Sequence, residues 1–340
     1  MRYWICNETG RIDVATIPTP ALAPGDIRIG LRACGVCGTD LMKIFTPSVA
    51  KPVGIGHEVV GAVEAVAPDV TAWQPGMRVA VAHHAPDPAS HYTRRGSGPM
   101  DPCFKATNID PGGFAEQIRV PAVLAAQTVV AVPDHVPDLR AVFMEPLACC
   151  LRALDRAPVQ EGDVALIVGA GAVGMLFVPL LRDRSATVIA ADIRPAPLAQ
   201  AAAWGADTVL LAGDAAPAVE AARRHSQGRG ADMVILTALT PQTLALAQHA
   251  VRDGGTILLF GAKPGSVIDV DMWDVWRREL NLISSYSSTP DLLPRAMAIL
   301  ATDRWPLEKL VSHTLSFDNA NDAIELAQRG QAMKVVVTLD

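Results

Sequence analysis

The stretch Val164-Ala-Leu-Ile-Val-Gly-Ala-Gly-Ala-Val-Gly174 decides the fold. Its five leading apolar residues read as a buried strand, and the glycines after them open an apolar helix, Ala172 to Leu181. In that context each position of the G-x-G-x-x-G pattern has a physical reason. Gly169 permits a tight turn, Gly171 lets the backbone approach a pyrophosphate, and Gly174 lets the helix pack on the strand. Ala172 and Val173 start the helix whose N-terminus faces the phosphates. Asp192 follows at about the 20-residue distance where a carboxylate accepts hydrogen bonds from the ribose hydroxyls of NAD and repels the 2′-phosphate of NADP. Arg194 is a nearby group able to bind that phosphate. NAD is the favoured cofactor and NADP the alternative. A glycine-rich turn in some other α/β protein is the competing reading.

The alternation continues beyond this unit. Thr187-Val-Ile-Ala-Ala is a second strand, Pro197–Trp204 a helix, and Thr208-Val-Leu-Leu a third strand. A helix over Ala215–His225, the strand Met233-Val-Ile-Leu, a helix near Thr243–Val251 and the strand Thr256-Ile-Leu-Leu-Phe follow. Such a repeat argues for a parallel sheet covered by helices on both faces. Upstream, the first 135 residues or so are short β-like runs punctuated by Gly and Pro, among them Asp26–Arg32, Val59–Ala67, Arg78–Ala82 and Ala115–Val120. They read as an all-β module of barrel type. Past residue 284 come two helices, Leu292–Leu300 and Asn319–Gln328, and a closing strand, Lys334–Leu339. The expectation is an α/β chain with a β-barrel-type domain over 1–145, a doubly wound Rossmann domain over 146–284, and a segment 285–340 that returns to complete the first.

The 340 residues suit two domains. A net charge of −6 offers no basic surface for nucleic acid and no polybasic run for an anionic membrane. The N-terminal run MRYWICNETGRID lacks the charged-then-apolar pattern of a signal peptide. The longest uncharged apolar run, Val164–Leu181, is broken by Gly and Pro, so no membrane span is expected and the compartment is the cytoplasm. Six cysteines are too sparse and irregular for a disulfide framework. Cys34 and Cys37 form a C-x-x-C, readable as a redox pair or as half of a zinc knuckle. A lone His57 in a β module is more often structural than ligating.

The run Gly56-His-Glu-Val-Val-Gly61-Ala-Val-Glu-Ala-Val-Ala67-Pro-Asp-Val70 is more specific. It resembles the zinc-containing alcohol dehydrogenase signature of the medium-chain dehydrogenase/reductase superfamily. The resemblance extends over essentially the whole chain through Pro24-Gly-Asp, Cys34-Gly-Val-Cys-Gly-Thr-Asp40, Pro75-Gly-Met-Arg-Val, Gly112-Gly-Phe-Ala-Glu116, Glu145-Pro-Leu, the Gly169 loop and Gly254-Gly-Thr-Ile-Leu. It implies a GroES-like β domain split by an inserted Rossmann domain, and one catalytic zinc ion. By the same resemblance Cys37 and His57 are zinc ligands, and Glu58 is a third ligand or exchanges with bound water. Glu145, in a motif resembling the sorbitol and threonine dehydrogenase branch, ligates zinc or hydrogen-bonds its water. Thr39 hydrogen-bonds the substrate oxygen and takes its proton, and Asp40 supports the site from behind the ligands. Cys34 falls at a non-ligand position, and Cys149 and Cys150 are small packing residues near the cofactor.

The sequence departs from the family in two places. Many relatives carry a structural zinc on four cysteines; the corresponding positions here are Asp87, Ser90, Thr93 and Asp101, none a thiol. That second zinc is expected to be absent. The loop reads as solvated with ordinary histidines, the alternative being a makeshift site from His83, His84, His91 and Cys103. Met42 stands where the family often has a proton-relaying histidine, so proton release needs another path.

Aromatic residues are few, and Ser284-Ser-Tyr-Ser-Ser-Thr-Pro290 is rich in hydroxyls. That segment either contacts a polyhydroxylated substrate or is a polar turn leading into the next helix. The expected activity is oxidation of a secondary alcohol on a polyol, cyclitol or sugar-like molecule. An amino-alcohol, aminocyclitol or sugar-phosphate dehydrogenase is the rival within enzymes, and a non-catalytic nucleotide-binding protein the rival from another class. The resemblance also implies a homodimer or homotetramer, with Asn281-Leu-Ile-Ser as an edge strand for assembly.

Overall fold

Of the strands among the described residues, ten belong to one compact unit, formed by Met1–Ala148 together with Ser288–Asp340, and six to a second, Cys149–Ser287. The computed structural model describes residues 1–47, 49–211 and 215–339. The first unit begins with β1 (Arg2–Glu8), β2 (Arg11–Thr16), β3 (Ile27–Gly35), β4 (Val53–Gly54), β5 (Glu58–Val66), β6 (Arg78–Val81), β7 (Gln117–Val120) and β8 (Val129–Ala131). The second holds β9 (Val164–Val168), β10 (Thr187–Asp192), β11 (Thr208–Leu211), β12 (Ala231–Leu236), β13 (Val251–Leu259) and β14 (Asn281–Ser284). The chain then returns to the first unit with β15 (Val311–Ser316) and β16 (Lys334–Thr338).

The main sheet of the first unit runs β15-β16-β3-β5-β6-β8, with β7 also paired to β3. Period-2 patterning drives it: Ile27, Ile29 and Leu31 of β3 are buried while the residues between them are less so. The antiparallel registers set Gly35 opposite Glu58 on one side and Val336 on the other. A second sheet, β2-β1-β4, buries Trp4, which stacks on Phe114 at 4.4 Å and donates its indole N–H to the Phe317 carbonyl at 2.9 Å. The β1–β2 hairpin and the helix Gly38–Phe45 are elements the sequence reading did not single out.

The second unit is a six-stranded parallel sheet ordered β11-β10-β9-β12-β13-β14. All five residues of β9 are buried, as a continuous apolar run in a sheet covered on both faces should be. From β9 the chain steps outward to β10 and β11, then returns to the other side of β9 at β12. The end of β9 is therefore the point where strand order reverses, the usual ligand position in such sheets. Two helices start earlier than their apolar patterns indicate, at Pro195 and Pro241, each with Pro in the first turn, where its missing N–H costs nothing. The Thr240 hydroxyl caps the second by accepting the Thr243 N–H at 3.1 Å. Among the described residues no helix is long and apolar enough to cross a membrane.

Candidate metal centre and dinucleotide loop

Strand β3 ends at Gly35, and two residues later Cys37 caps the helix Gly38–Phe45. Asp40 lies in the first turn of that helix, buried, and accepts the N–H of Cys37 at 3.0 Å and of Gly56 at 2.8 Å. These two bonds tie the Cys37 turn to the approach of β5. Gly56 adopts φ +86°, and a Cβ there would press on Phe114, so glycine is required. The ligand atoms of Cys37, His57 and Glu58 consequently lie within 4.8 Å of one another. Thiolate, imidazole and carboxylate are all zinc ligands, and three protein donors leave a fourth position open, so the residues fit a catalytic zinc ion.

Behind this group the Nδ1 of His57 is 3.4 Å from a carboxylate oxygen of Asp40. Burial works against charge on His57, but Asp40 and Cys37 outweigh it and hold the imidazole well above its ordinary range. Burial likewise works against the Asp40 carboxylate, and His57 with the two N–H donors overcomes it, lowering its pKa. Burial pushes the Cys34 thiol well up, as befits a packed residue. Thr39 is exposed on the turn beside Cys37, and Met42 is half-buried one helical turn on. Glu145, buried at the start of the helix Met144–Arg156, is not among the three atoms that converge. In that same helix Cys150 is buried and Cys149 half-buried.

The loop after β6 differs from a solvated one at its start. His83 is buried, with its ring 4.7 Å from that of His57 and 3.8 Å from that of His84, which in turn meets Phe104 at 5.0 Å. Burial drives His83 well below its ordinary range and His84 to about 4, so both are neutral at pH 7. His91 and Cys103 are exposed, and no group of His83, His84, His91 and Cys103 forms a metal site among the described residues. The four positions without thiols are instead linked by hydrogen bonds. The Thr93 hydroxyl donates to the Asp87 carbonyl at 2.8 Å, Ser90 accepts the Thr93 N–H at 3.1 Å, and Ser90 bonds the Asp101 carboxylate.

In the second unit Gly169 turns at φ +96°, and Gly171 caps the helix Ala172–Arg182, in which Val173 is the second residue. A Cβ on Gly174 would overlap the Gly169 carbonyl oxygen, so this glycine sets the helix on the strand. Asp192 ends β10, buried, with one oxygen accepting the Arg194 N–H at 2.9 Å and facing its guanidinium at 3.3 Å. In the hydroxyl-rich segment, Arg152 reaches the Ser285 hydroxyl at 3.5 Å and the Tyr286 carbonyl at 3.2 Å. The Thr289 carbonyl accepts the Leu292 N–H at 3.0 Å, opening the helix Leu292–Leu300. These bonds give that segment a structural use as a turn.

The sequence reading placed neither His83, considered there only for a second zinc site, nor Lys334 at this centre. His83 lies in an unremarkable His-His pair. Lys334 lies in the closing strand, yet its ammonium reaches Glu58 from two strands away. Only the register of β16 on β3 would have revealed it.

Residues 23–134 match the alcohol dehydrogenase GroES-like domain, and residues 172–302 the zinc-binding dehydrogenase domain. D-altritol 5-dehydrogenase of Agrobacterium fabrum is 36% identical over 318 residues, covering 91% of this chain and 90% of that protein. The chain belongs to the zinc-containing medium-chain dehydrogenase/reductase superfamily. Within it the chain falls in the sorbitol dehydrogenase-like branch. Rat sorbitol dehydrogenase is 27% identical over 99% of this chain and 95% of its own. The crystal structure of galactitol-1-phosphate dehydrogenase from Escherichia coli superposes with a TM-score of 0.88 at 26% identity, over 99% of this chain and 100% of that one. Membership makes the protein a dehydrogenase of the alcohol dehydrogenase type, with the GroES-like and Rossmann architecture seen here.

Proposed function

We propose that the protein is a zinc-dependent, NAD-linked dehydrogenase that oxidises a secondary hydroxyl of a polyol, cyclitol or sugar-like substrate to a ketone. The convergence of Cys37, His57 and Glu58 within 4.8 Å, backed by Asp40, carries this reading. Altritol, sorbitol and galactitol 1-phosphate, the substrates named for its relatives, are all polyols or their phosphates. When bound, zinc supplies Lewis-acid stabilisation of the developing alkoxide and NAD accepts the hydride.

The chain's own residues do the rest. Cys37 and His57 hold the ion, Glu58 is its third, exchangeable partner, and Glu145 acts on the same centre from the helix Met144–Arg156. Asp40 fixes the His57 ring by facing its Nδ1, which leaves Nε2 for the metal. Thr39, exposed beside Cys37, hydrogen-bonds the substrate hydroxyl and takes its proton while passing its own hydroxyl proton on to solvent. Gly169, Gly171, Ala172, Val173 and Gly174 seat the pyrophosphate. Asp192 takes the ribose, and because Arg194 is drawn back onto that carboxylate, NAD is favoured over NADP.

The protein assembles as a homodimer or a homotetramer in the cytoplasm. Among the described residues strand β14 ends its sheet with an unpaired edge, and the preceding helix, Met272–Arg277, exposes Trp273 and Trp276 with their rings 5.2 Å apart. An open edge beside exposed aromatics is what a second copy would cover.

The test is NADH absorbance on incubation with NAD and a panel of polyols, cyclitols, sugar phosphates, amino alcohols and simple alcohols. Turnover of one polyhydroxylated class, abolished together with bound zinc in C37S, is expected. Full activity in C37S overturns the zinc reading, and turnover of amino alcohols alone overturns the substrate reading.

A further inference from the structure

The cation facing Glu58 is an unexpected neighbour for a metal-binding carboxylate. Lys334 is buried, its ammonium forms an ion pair with Glu58 Oε2, and it donates to the Val36 carbonyl at 3.0 Å. The two residues sit on β16 and β5, which are not neighbours; β3 lies between them. The residue of β3 that they pass over is Gly35, opposite Glu58 in the β3–β5 register. A Cβ on Gly35 would overlap Glu58 Oε2 and come within 2.8 Å of Lys334 Cε. The ion pair thus spans three strands on a diagonal, Lys334 lying two residues along β16 from Val336, the register partner of Gly35, with the side chain omitted on β3 where the pair crosses. A buried ammonium is costly without a partner, and the Val36 carbonyl alone does not neutralise it.

We propose that Lys334 is a positioning residue for the metal centre: by claiming one oxygen of Glu58 across Gly35, it restrains this carboxylate to a weak, exchangeable hold on the ion. The proposal rests on the zinc reading above and deepens it. With two cations competing for one carboxylate, Glu58 yields to substrate oxygen more readily than a free glutamate would. Without the ammonium, Glu58 is released to the metal and becomes a lasting ligand.

The experiment measures loss of zinc from the full-length holoprotein to a chelator, alongside the visible absorption of the Co(II)-substituted form. Five variants enter: K334M, K334R, E58Q, and each of the two Lys334 changes combined with E58Q. The parent first shows a thiolate-to-cobalt band that C37S removes; its absence would sink the zinc reading itself, separately from the present one. In K334M we expect zinc loss several-fold slower than in the parent and weaker cobalt d–d bands. K334R keeps the charge and the fold, and its guanidinium can engage both oxygens, so its zinc loss is expected to be faster than the parent's. Both effects should vanish in the E58Q background. A Lys334 change that alters zinc loss equally with and without E58Q, or in neither, overturns the proposal. K334R answers the question even where K334M does not fold.

Discussion

Asp40 shows how much one buried side chain can organise. It receives two backbone N–H groups from segments that each carry a metal-site residue, and it faces His57. D40A would leave both donors unsatisfied, at about 1–3 kcal/mol each. D40N keeps the shape but removes the charge behind His57, and zinc affinity should fall roughly 10–100-fold, as for other partners of metal-binding histidines. Isothermal titration with zinc checks this; unchanged affinity in D40N would remove Asp40 from the centre. In the second unit, D192A should weaken NAD binding by roughly tenfold, about 1.4 kcal/mol. It should also narrow the gap between NAD and NADP, because the carboxylate that repels the 2′-phosphate is gone. Comparison of the two dissociation constants by fluorescence decides it. The convergence of Cys37, His57 and Glu58 was legible because the residues lie in two short motifs. Lys334 and His83 were not, because their proximity is a product of sheet register and ring packing that no local pattern encodes.

Elements were most legible where one period dominated. The continuous apolar runs of β9, β10 and β12 announced buried parallel strands, whereas the β1–β2 hairpin did not stand out. There Trp4, Cys6 and Ile12 face the core, but Tyr3 and Ile5 at the alternate positions of β1 are also apolar and mask the alternation. Polar contacts between distant elements were invisible for the same reason. Arg140, in the short helix Asp138–Ala141, donates to both Glu308 oxygens, at 2.6 and 3.0 Å, and to Asp303 at 3.2 Å. The Arg140 hydrogen bonds outweigh burial and hold the Glu308 carboxyl below its ordinary value. A depressed carboxylate stabilises the fold above its unfolded pKa, and that contribution is lost as pH falls through the folded one. E308Q should therefore cost about 1 kcal/mol at pH 7, a value discounted for partial exposure. The difference should disappear in acid, below the depressed pKa. Urea titrations of both proteins at neutral and acid pH measure it; a constant difference would exclude the ion pair as its source. At the β14 edge, W276E should shift the oligomer toward monomers, read by light scattering, while the circular dichroism of the fold is kept.

At the scale of the whole molecule the chain is interleaved, since Ser288–Asp340 folds with Met1–Ala148. β16 lies between β15 and β3, so the last strand is internal to its sheet and carries the lysine that meets Glu58. The proposed zinc residues Cys37, His57, Glu58 and Glu145 all lie in this unit, and the proposed NAD residues Gly169 to Arg194 all lie in the other. Each unit has its own buried core, one around Trp4, Ile29 and Phe114 and one around Leu166, Val234 and Ile257. Ligand binding stabilises what it binds by mass action, about 2.7 kcal/mol at roughly 100 times the dissociation constant. That stabilisation appears first in the backbone whose opening would destroy the site. Zinc should therefore slow amide exchange most in peptides containing the Cys37 turn, the start of β5 and β16, and NAD most in those containing the end of β9 and the helix Ala172–Arg182. Hydrogen-exchange mass spectrometry of the apo, zinc, NAD and doubly loaded forms separates the two patterns. Zinc protection centred on the 169–194 segment would contradict the proposed ligands. Protection of β16 by zinc that is weakened in K334M would tie the closing strand to the metal through its lysine.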